Sequence, residues 1–164
     1  MRRRLVAAAT ATSVALVMLT GCGSGWAGAL ESVRVLSVVD GDTIVVQPGS
    51  GAPRTVRIRG VDTPETKKPG VPIQCFGPEA SAFTHRMLGG RRIRLGYDVE
   101  HHDKYGRTLA AVIVDGHDYA RTLLAEGYAR LLVIAPNGRH SRDYLALELD
   151  ARLQRRGLWG ACGV

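Results

Sequence analysis

Three short clusters in this chain combine residue types that do chemistry together. They are Asp40-Gly41-Asp42-Thr43, then Arg57 with Asp62-Thr63-Pro64-Glu65, then Asp103-Lys104-Tyr105-Gly106-Arg107. They supply carboxylates for a hard cation, a further carboxylate able to handle water, and two guanidiniums matched to a phosphate. That set suits hydrolysis of a phosphodiester, whose anionic oxygens repel a nucleophile and gather charge in the transition state. Arginine serves better than lysine there because its planar fork holds two oxygens at once. Taken singly, each cluster has a plainer reading. Asp40 and Asp42 shape a tight turn, Asp62 and Thr63 cap a bend before Pro64, and the arginines are solvated strand residues. Their joint occurrence in so short a chain is what points to a site.

The elements that must position these clusters follow from periodicity. Val33 and Val35 alternate with Ser32 and Arg34, Val38-Val39 leads into the 40–43 turn, and residues 43–47 return as the second strand of a hairpin. Residues 55–61 alternate, with Val56 and Ile58 on one face and Arg57 and Arg59 on the other. Pro78 opens a helix carrying Ala80, Phe83 and Met87 on one stripe, which Gly89-Gly90 ends. Residues 91–99 and 108–114 read as a strand pair about the turn at 103–107. Asp118 caps a helix that stops at Gly127, and residues 141–155 form a longer one. Five short strands with late helices fit a small closed barrel better than a sandwich or a parallel sheet. In such a barrel the three clusters converge at one rim. Asp40 is expected to support the metal carboxylates, and Arg59 to be surface charge. His101-His102 point to opposite sides of an extended backbone, so they and His140 read as loop histidines, and no Cys/His set has zinc spacing.

Through segments 38–43, 61–66, 77–84 and 103–107, the chain resembles the staphylococcal nuclease (thermonuclease) family from about residue 33 to residue 159. The resemblance implies an α+β, β-rich fold: a five-stranded OB-fold barrel with about three flanking helices. It also implies a calcium-dependent endonuclease, a phosphodiesterase acting on single-stranded or denatured DNA and RNA. Residue by residue, Asp42 and Asp62 match the carboxylates that hold Ca²⁺, and Thr63 matches a ligand through its backbone carbonyl. Glu65 matches the carboxylate that orients or deprotonates the attacking water. Arg57 and Arg107 match the guanidiniums that grip the phosphate and stabilise a phosphorane-like transition state. Lys104 and Tyr105 match the side that contacts the terminal phosphate. Hard oxygen ligands suit Ca²⁺, and the absence of cysteine or histidine from the set argues against zinc. The likeness weakens at Leu132 and Ile134, which stand where the family's cleft carries two tyrosines. Aromatic stacking lost there is about 1–3 kcal/mol per base. The Pro69-Gly70-Val71-Pro72 loop is a further difference beside the cleft.

The ends and the composition bear on location. Arg2-Arg3-Arg4 precede an apolar run, 5–19, that is short for a membrane span and leads into small residues, as an export signal does. Leu19-Thr20-Gly21-Cys22 resembles a bacterial lipobox in which Cys22 takes lipid; the plainer reading is an ordinary secretory signal cut nearby. The expected organisation is a signal peptide at 1–21, a glycine-rich lipidated tether at 22–30 and a nuclease-like domain at 31–164. The expected state is a monomer anchored by lipid to the outer face of the cell membrane, or alternatively secreted in soluble form. Losing 1–21 removes three arginines and no acid, so the formal charge falls from +7 to +4. The remaining basic clusters, Lys67-Lys68, Arg91-Arg92 with Arg94, and Arg152 with Arg155-Arg156, suit a polyanion. If Cys22 carries lipid, Cys75 and Cys162 remain in a compartment where disulfides persist. One bridge between them is then the sole intramolecular pairing, the alternative being two separate thiols. A function of a different class, a silent OB module that only captures nucleic acid, has no need of the whole catalytic set.

Overall fold

The computed structural model describes residues 29–163. The 5–19 run, the lipobox and Cys22 lie outside the described residues. The elements are, in chain order, β1 (Glu31–Val38), β2 (Thr43–Pro48), β3 (Arg54–Ile58), β4 (Val61–Asp62), α1 (Gly77–Leu88), β5 (Arg92–Gly96), β6 (Thr108–Val114), β7 (His117–Asp118), α2 (Tyr119–Ala125), β8 (Arg130–Leu131), α3 (Ser141–Leu153) and α4 (Leu158–Ala161).

Strands β3, β2, β1, β5 and β6 pair antiparallel in that order. A parallel pairing of β3 with β6, which sets Val56 opposite Thr108 and Ile58 opposite Ala110, closes the sheet on itself. The result is the five-stranded OB barrel, flanked by α1, α2 and α3. Closure leaves none of these five strands with an open edge along its whole length. In β1, Leu36 is an unpaired extra residue between Val35 and Ser37, a bulge that tightens the strand's curvature. The barrel interior is filled by Val33, Val35, Ile44, Val46, Val56, Ile58, Ile93, Leu95, Ala110 and Val112, all buried. Leu88, Leu123, Leu124 and Tyr144 seal it from the helices.

The helix ends expected from local signals are present. Pro78 opens α1, with Glu79 in the first turn and His85 and Arg86 in the last, each sign favoured by the helix dipole. The Asp118 carboxylate accepts the Ala120 N–H at 3.1 Å and so caps α2. Tyr144 donates its hydroxyl to the other oxygen of Asp118, locking α3 onto the start of α2. Sequence periodicity did not reveal α4. Its Leu158 and Trp159 pack with Ala151, Phe76 and Cys162 in a second small cluster. A disulfide joins Cys75, just before α1, to Cys162, just after α4, with Cα atoms 5.9 Å apart across 87 residues of sequence.

Two expectations need correction. The strand expected at 55–61 stops at Ile58, because Gly60 adopts φ +84 and lets β4 turn away to pair with β8. A Cβ at Gly60 would lie 2.4 Å from the Tyr144 ring, so only glycine permits that close approach. Arg59 is not surface charge. It is only 5% exposed, with Nη1 at 3.1 Å from Asp98 Oδ2 and donating to the Arg139 carbonyl at 3.2 Å. A guanidinium can be buried when a carboxylate and a carbonyl meet its donors, and the loops bearing Asp98 and Arg139 fold over it.

Candidate active site

The turn between β1 and β2, the bend from β3 into β4, and the loop before β6 meet at one rim. They border a cleft of about 690 Å³ whose walls include Asp40, Asp42, Arg57, Asp62, Thr63, Glu65, Tyr105 and Arg107. Leu132 and Ile134 line it as well, and the buried Asn137 ties that wall to the loop leading to residue 103. Asn137 does so by accepting the Glu100 N–H at 2.8 Å and donating to the Glu100 carbonyl at 2.9 Å. Lys104 is not among the lining residues. Its Nζ rests 5.1 Å from the Tyr105 ring centroid, while the Arg107 guanidinium carbon lies 5.5 Å from the same ring, which is 72% exposed.

Asp42 is the most enclosed acid of the rim, 4% exposed. Its Oδ1 accepts the Thr43 hydroxyl at 3.0 Å, and its Oδ2 accepts the Thr63 N–H at 2.8 Å and the Thr63 hydroxyl at 3.1 Å. Asp40 shapes the turn by accepting the Asp42 N–H at 3.1 Å. Arg57 links the two expected metal carboxylates: its Nη2 is 3.1 Å from Asp42 Oδ2 and 2.8 Å from Asp62 Oδ1. Its Nη1 donates to the carbonyls of Ile58 at 2.9 Å and Val61 at 2.7 Å, which fastens the bend after β3. Thr43, named in the sequence only as the end of the DGDT cluster and given no role there, sits where its hydroxyl steers Asp42.

Electrostatics give this group a specific character. Burial pushes the Asp42 carboxyl up to about 6; the Arg57 charge opposes, while Asp40 and Asp62 add to the rise. Asp42 and Asp62 thus share the Arg57 guanidinium while Asp40 adds further negative charge beside Asp42, a local surplus on hard oxygens. That surplus fits a divalent cation of the calcium type. Among the described residues no three His, Cys, Asp or Glu side chains gather as a complete chelate. Backbone or water oxygens must therefore complete any ligand set built on Asp42 and Asp62.

Glu65 and Arg107 are held by different means. Glu65 Oε1 accepts three backbone N–H groups, from Lys67 at 2.7 Å, Thr66 at 2.8 Å and Lys68 at 3.0 Å. The Lys67 N–H leads in holding this carboxyl below the usual carboxylate range, with the Lys68 and Thr66 N–H groups and the Lys68 charge helping against partial burial. Glu65 is accordingly an ionised acceptor. Arg107 donates from Nε to Asp103 Oδ2 at 2.7 Å, and Asp103 Oδ1 accepts the N–H groups of Tyr105 at 2.9 Å and Arg107 at 3.0 Å. Burial raises the Asp103 carboxyl, but these hydrogen bonds and the Arg107 charge outweigh it and leave it lowered. With Nε engaged, the Nη groups of Arg107 have no protein hydrogen bond among the described residues. Lys67 and Lys68, recognised in the sequence only as a basic pair, also line the cleft.

A family model described as "Staphylococcal nuclease homologue" matches residues 55–161. The chain is 39% identical over 129 residues to the Thermonuclease of Staphylococcus hyicus, covering 79% of this chain and 76% of that protein. Identity to the Thermonuclease of Staphylococcus intermedius is 41% over 129 residues, again 79% of this chain and 76% of the relative. Identity to Endonuclease YncB of Bacillus subtilis (strain 168) is 38% over 136 residues, covering 82% of this chain and 64% of that longer protein. With a closed OB barrel and likeness along most of its length, the chain belongs to the staphylococcal nuclease family.

Proposed function

We propose that this chain is a calcium-dependent nuclease that hydrolyses phosphodiester bonds of single-stranded or denatured DNA and RNA outside the cytoplasm. As a member of its family it is a nuclease-type hydrolase that binds nucleic acid. The observation carrying the finer reading is the junction of Asp42, Arg57 and Asp62 in one cleft that Glu65 and Arg107 also line. Asp42 and Asp62, with the Thr63 carbonyl, would hold the cation, which when bound supplies charge neutralisation at the scissile phosphate. Thr43 and Thr63 fix the rotamer of Asp42 through their hydroxyls. Glu65 keeps its second oxygen to accept a hydrogen bond from water and so to orient or deprotonate it. Arg57 and Arg107 would bind equatorial phosphate oxygens as charge accumulates there. Tyr105 borders the cleft mouth as a phosphate or sugar contact, with Lys104 adding charge from behind its ring. Leu132 and Ile134 offer nucleobases apolar contact without stacking, so base discrimination should be weak. Cys22, by its lipobox-like setting, would take the lipid that retains the monomeric domain at the outer face of the membrane.

The direct test is degradation of denatured DNA by the purified chain in calcium and then in excess chelator. Cleavage in calcium that chelation abolishes is expected. Undiminished cleavage in chelator would exclude the cation, and binding without turnover in calcium would make the chain a silent OB module.

A further inference from the structure

Glu65 is also gripped by its own backbone. The chain leaves the cleft at Thr66, passes through Pro69-Gly70-Val71-Pro72, and returns so that one residue, Gln74, meets both main-chain groups of Glu65. The Gln74 N–H donates to the Glu65 carbonyl at 2.9 Å, and the Gln74 side-chain oxygen accepts the Glu65 N–H at 2.9 Å. Gly77 then packs on the same stretch, where an added Cβ would lie 2.7 Å from Thr66 Cγ2 and 3.0 Å from the Glu65 carbonyl. Between these two contacts sits Cys75, tied covalently to Cys162 at the end of α4. Phe76, at φ 67, packs into the Trp159 cluster and lies 5.4 Å from the Tyr128 ring. None of the described residues of α4 lines the cleft.

We propose that Gln74 and the Cys75–Cys162 bridge are positioning elements for Glu65, so that turnover depends on the bridge being closed. The proposal rests on the water-handling role given to Glu65 above. The two hydrogen bonds between Glu65 and Gln74 exchange with water and hold the loop only weakly by themselves. The loop between them is exposed and contains two prolines and a glycine, so its returning segment needs a firmer anchor than those bonds. The bridge supplies it by fixing the residue next to Gln74 to a packed helix. Without an anchored returning segment, the first turn at 66–68 can swing, and its three N–H groups no longer aim the carboxylate into the cleft. Misplacement of a reacting group by about 1 Å costs on the order of 100-fold in rate. A bridge that only stabilised the fold would leave turnover untouched well below the melting temperature.

The test measures kcat and KM on denatured DNA in calcium, at a temperature where all forms are folded by circular dichroism. The forms are oxidised chain, chain reduced by a dithiol, the Cys75→Ser/Cys162→Ser variant, Gln74→Ala and Glu65→Gln. The dithiol passes two electrons and two protons to the bridge and closes into its own disulfide. Opening the bridge should lower kcat about tenfold or more with KM nearly unchanged, and Gln74→Ala should lower it severalfold in the same sense. The amide resonances of Thr66, Lys67 and Lys68 should shift in each case. Unchanged kcat and amide resonances in a folded, open-bridge protein would overturn the proposal. If the double serine variant does not fold, Gln74→Ala in the bridged protein decides alone. A harmless Glu65→Gln would bring down the role of Glu65 and the proposal together, whereas a crippling Glu65→Gln beside a fully active open-bridge form rejects only the positioning.

Discussion

Asp42 is almost wholly out of water, and burial with two neighbouring acids raises its carboxyl to about 6 despite Arg57. A folded-state value above the unfolded one means that ionising Asp42 disfavours the folded chain. Its stability contribution is therefore full below the unfolded value of 3.8 and is lost as pH rises through about 6. A divalent cation on Asp42 and Asp62 reverses that penalty only when Asp42 is ionised. Calcium should accordingly raise the melting temperature more at about pH 7.5 than at about pH 5, and Asp42→Asn should remove most of the difference. Equal calcium shifts at both pH values would detach Asp42 from the cation. Arg57 carries a structural duty besides its proposed chemical one, since its donors also hold the Ile58 and Val61 carbonyls. Arg57→Lys should lose turnover and also about 1–3 kcal/mol of stability, read from denaturant unfolding. The types and order of these residues were legible in the sequence because each signature is local. The burial of Arg59 was not, since its partner Asp98 is distant in sequence and strand alternation alone says nothing of what covers the outer face.

Among the elements, those with their own start and stop signals were readable: α1 from Pro78, α2 from Asp118, β6 from its apolar run. The paired two-residue strands β4 and β8 and the short α4 were not, because each exists only through contacts with another part of the chain. Gly60 is where that non-local logic is most exposed to test. Gly60→Ala would meet both an unfavourable positive φ and the buried ring of Tyr144, so it should destabilise by about 1–3 kcal/mol. An unchanged denaturation midpoint would mean that the bend from β3 into β4 does not depend on that packing. The Cys75–Cys162 link acts between elements as well. Closing a loop of that span is worth about 4–5 kcal/mol in the chain-entropy model, so reduction should lower the melting temperature by several degrees or more.

At the scale of the whole molecule, the barrel brings three sequence-distant clusters to one cleft, and the net charge of the chain, +7, or +4 if residues 1–21 were removed, favours a polyanionic partner. Location is a separate matter from chemistry. If Cys22 carries two or three acyl chains, at about 0.8 kcal/mol per buried CH₂, the anchor is long-lived, and Cys22→Ser should block lipid labelling and move nuclease activity out of the membrane fraction. Wild-type protein found unlipidated in the medium would discard the anchor and leave the cleft as it is. The proposed work of the cleft is to stabilise charge building on a scissile phosphate. Arg107 gives the cleanest test, because among the described residues its side chain is held by the Asp103 carboxylate and the Tyr105 ring and takes no part in the barrel core. The decisive measurement is single-turnover cleavage of a short denatured DNA in saturating calcium by Arg107→Lys, with binding measured in parallel. A rate lower by about 10²–10³-fold with binding weakened far less is expected; a wild-type rate in a normally folded variant would show that Arg107 does not stabilise that charge.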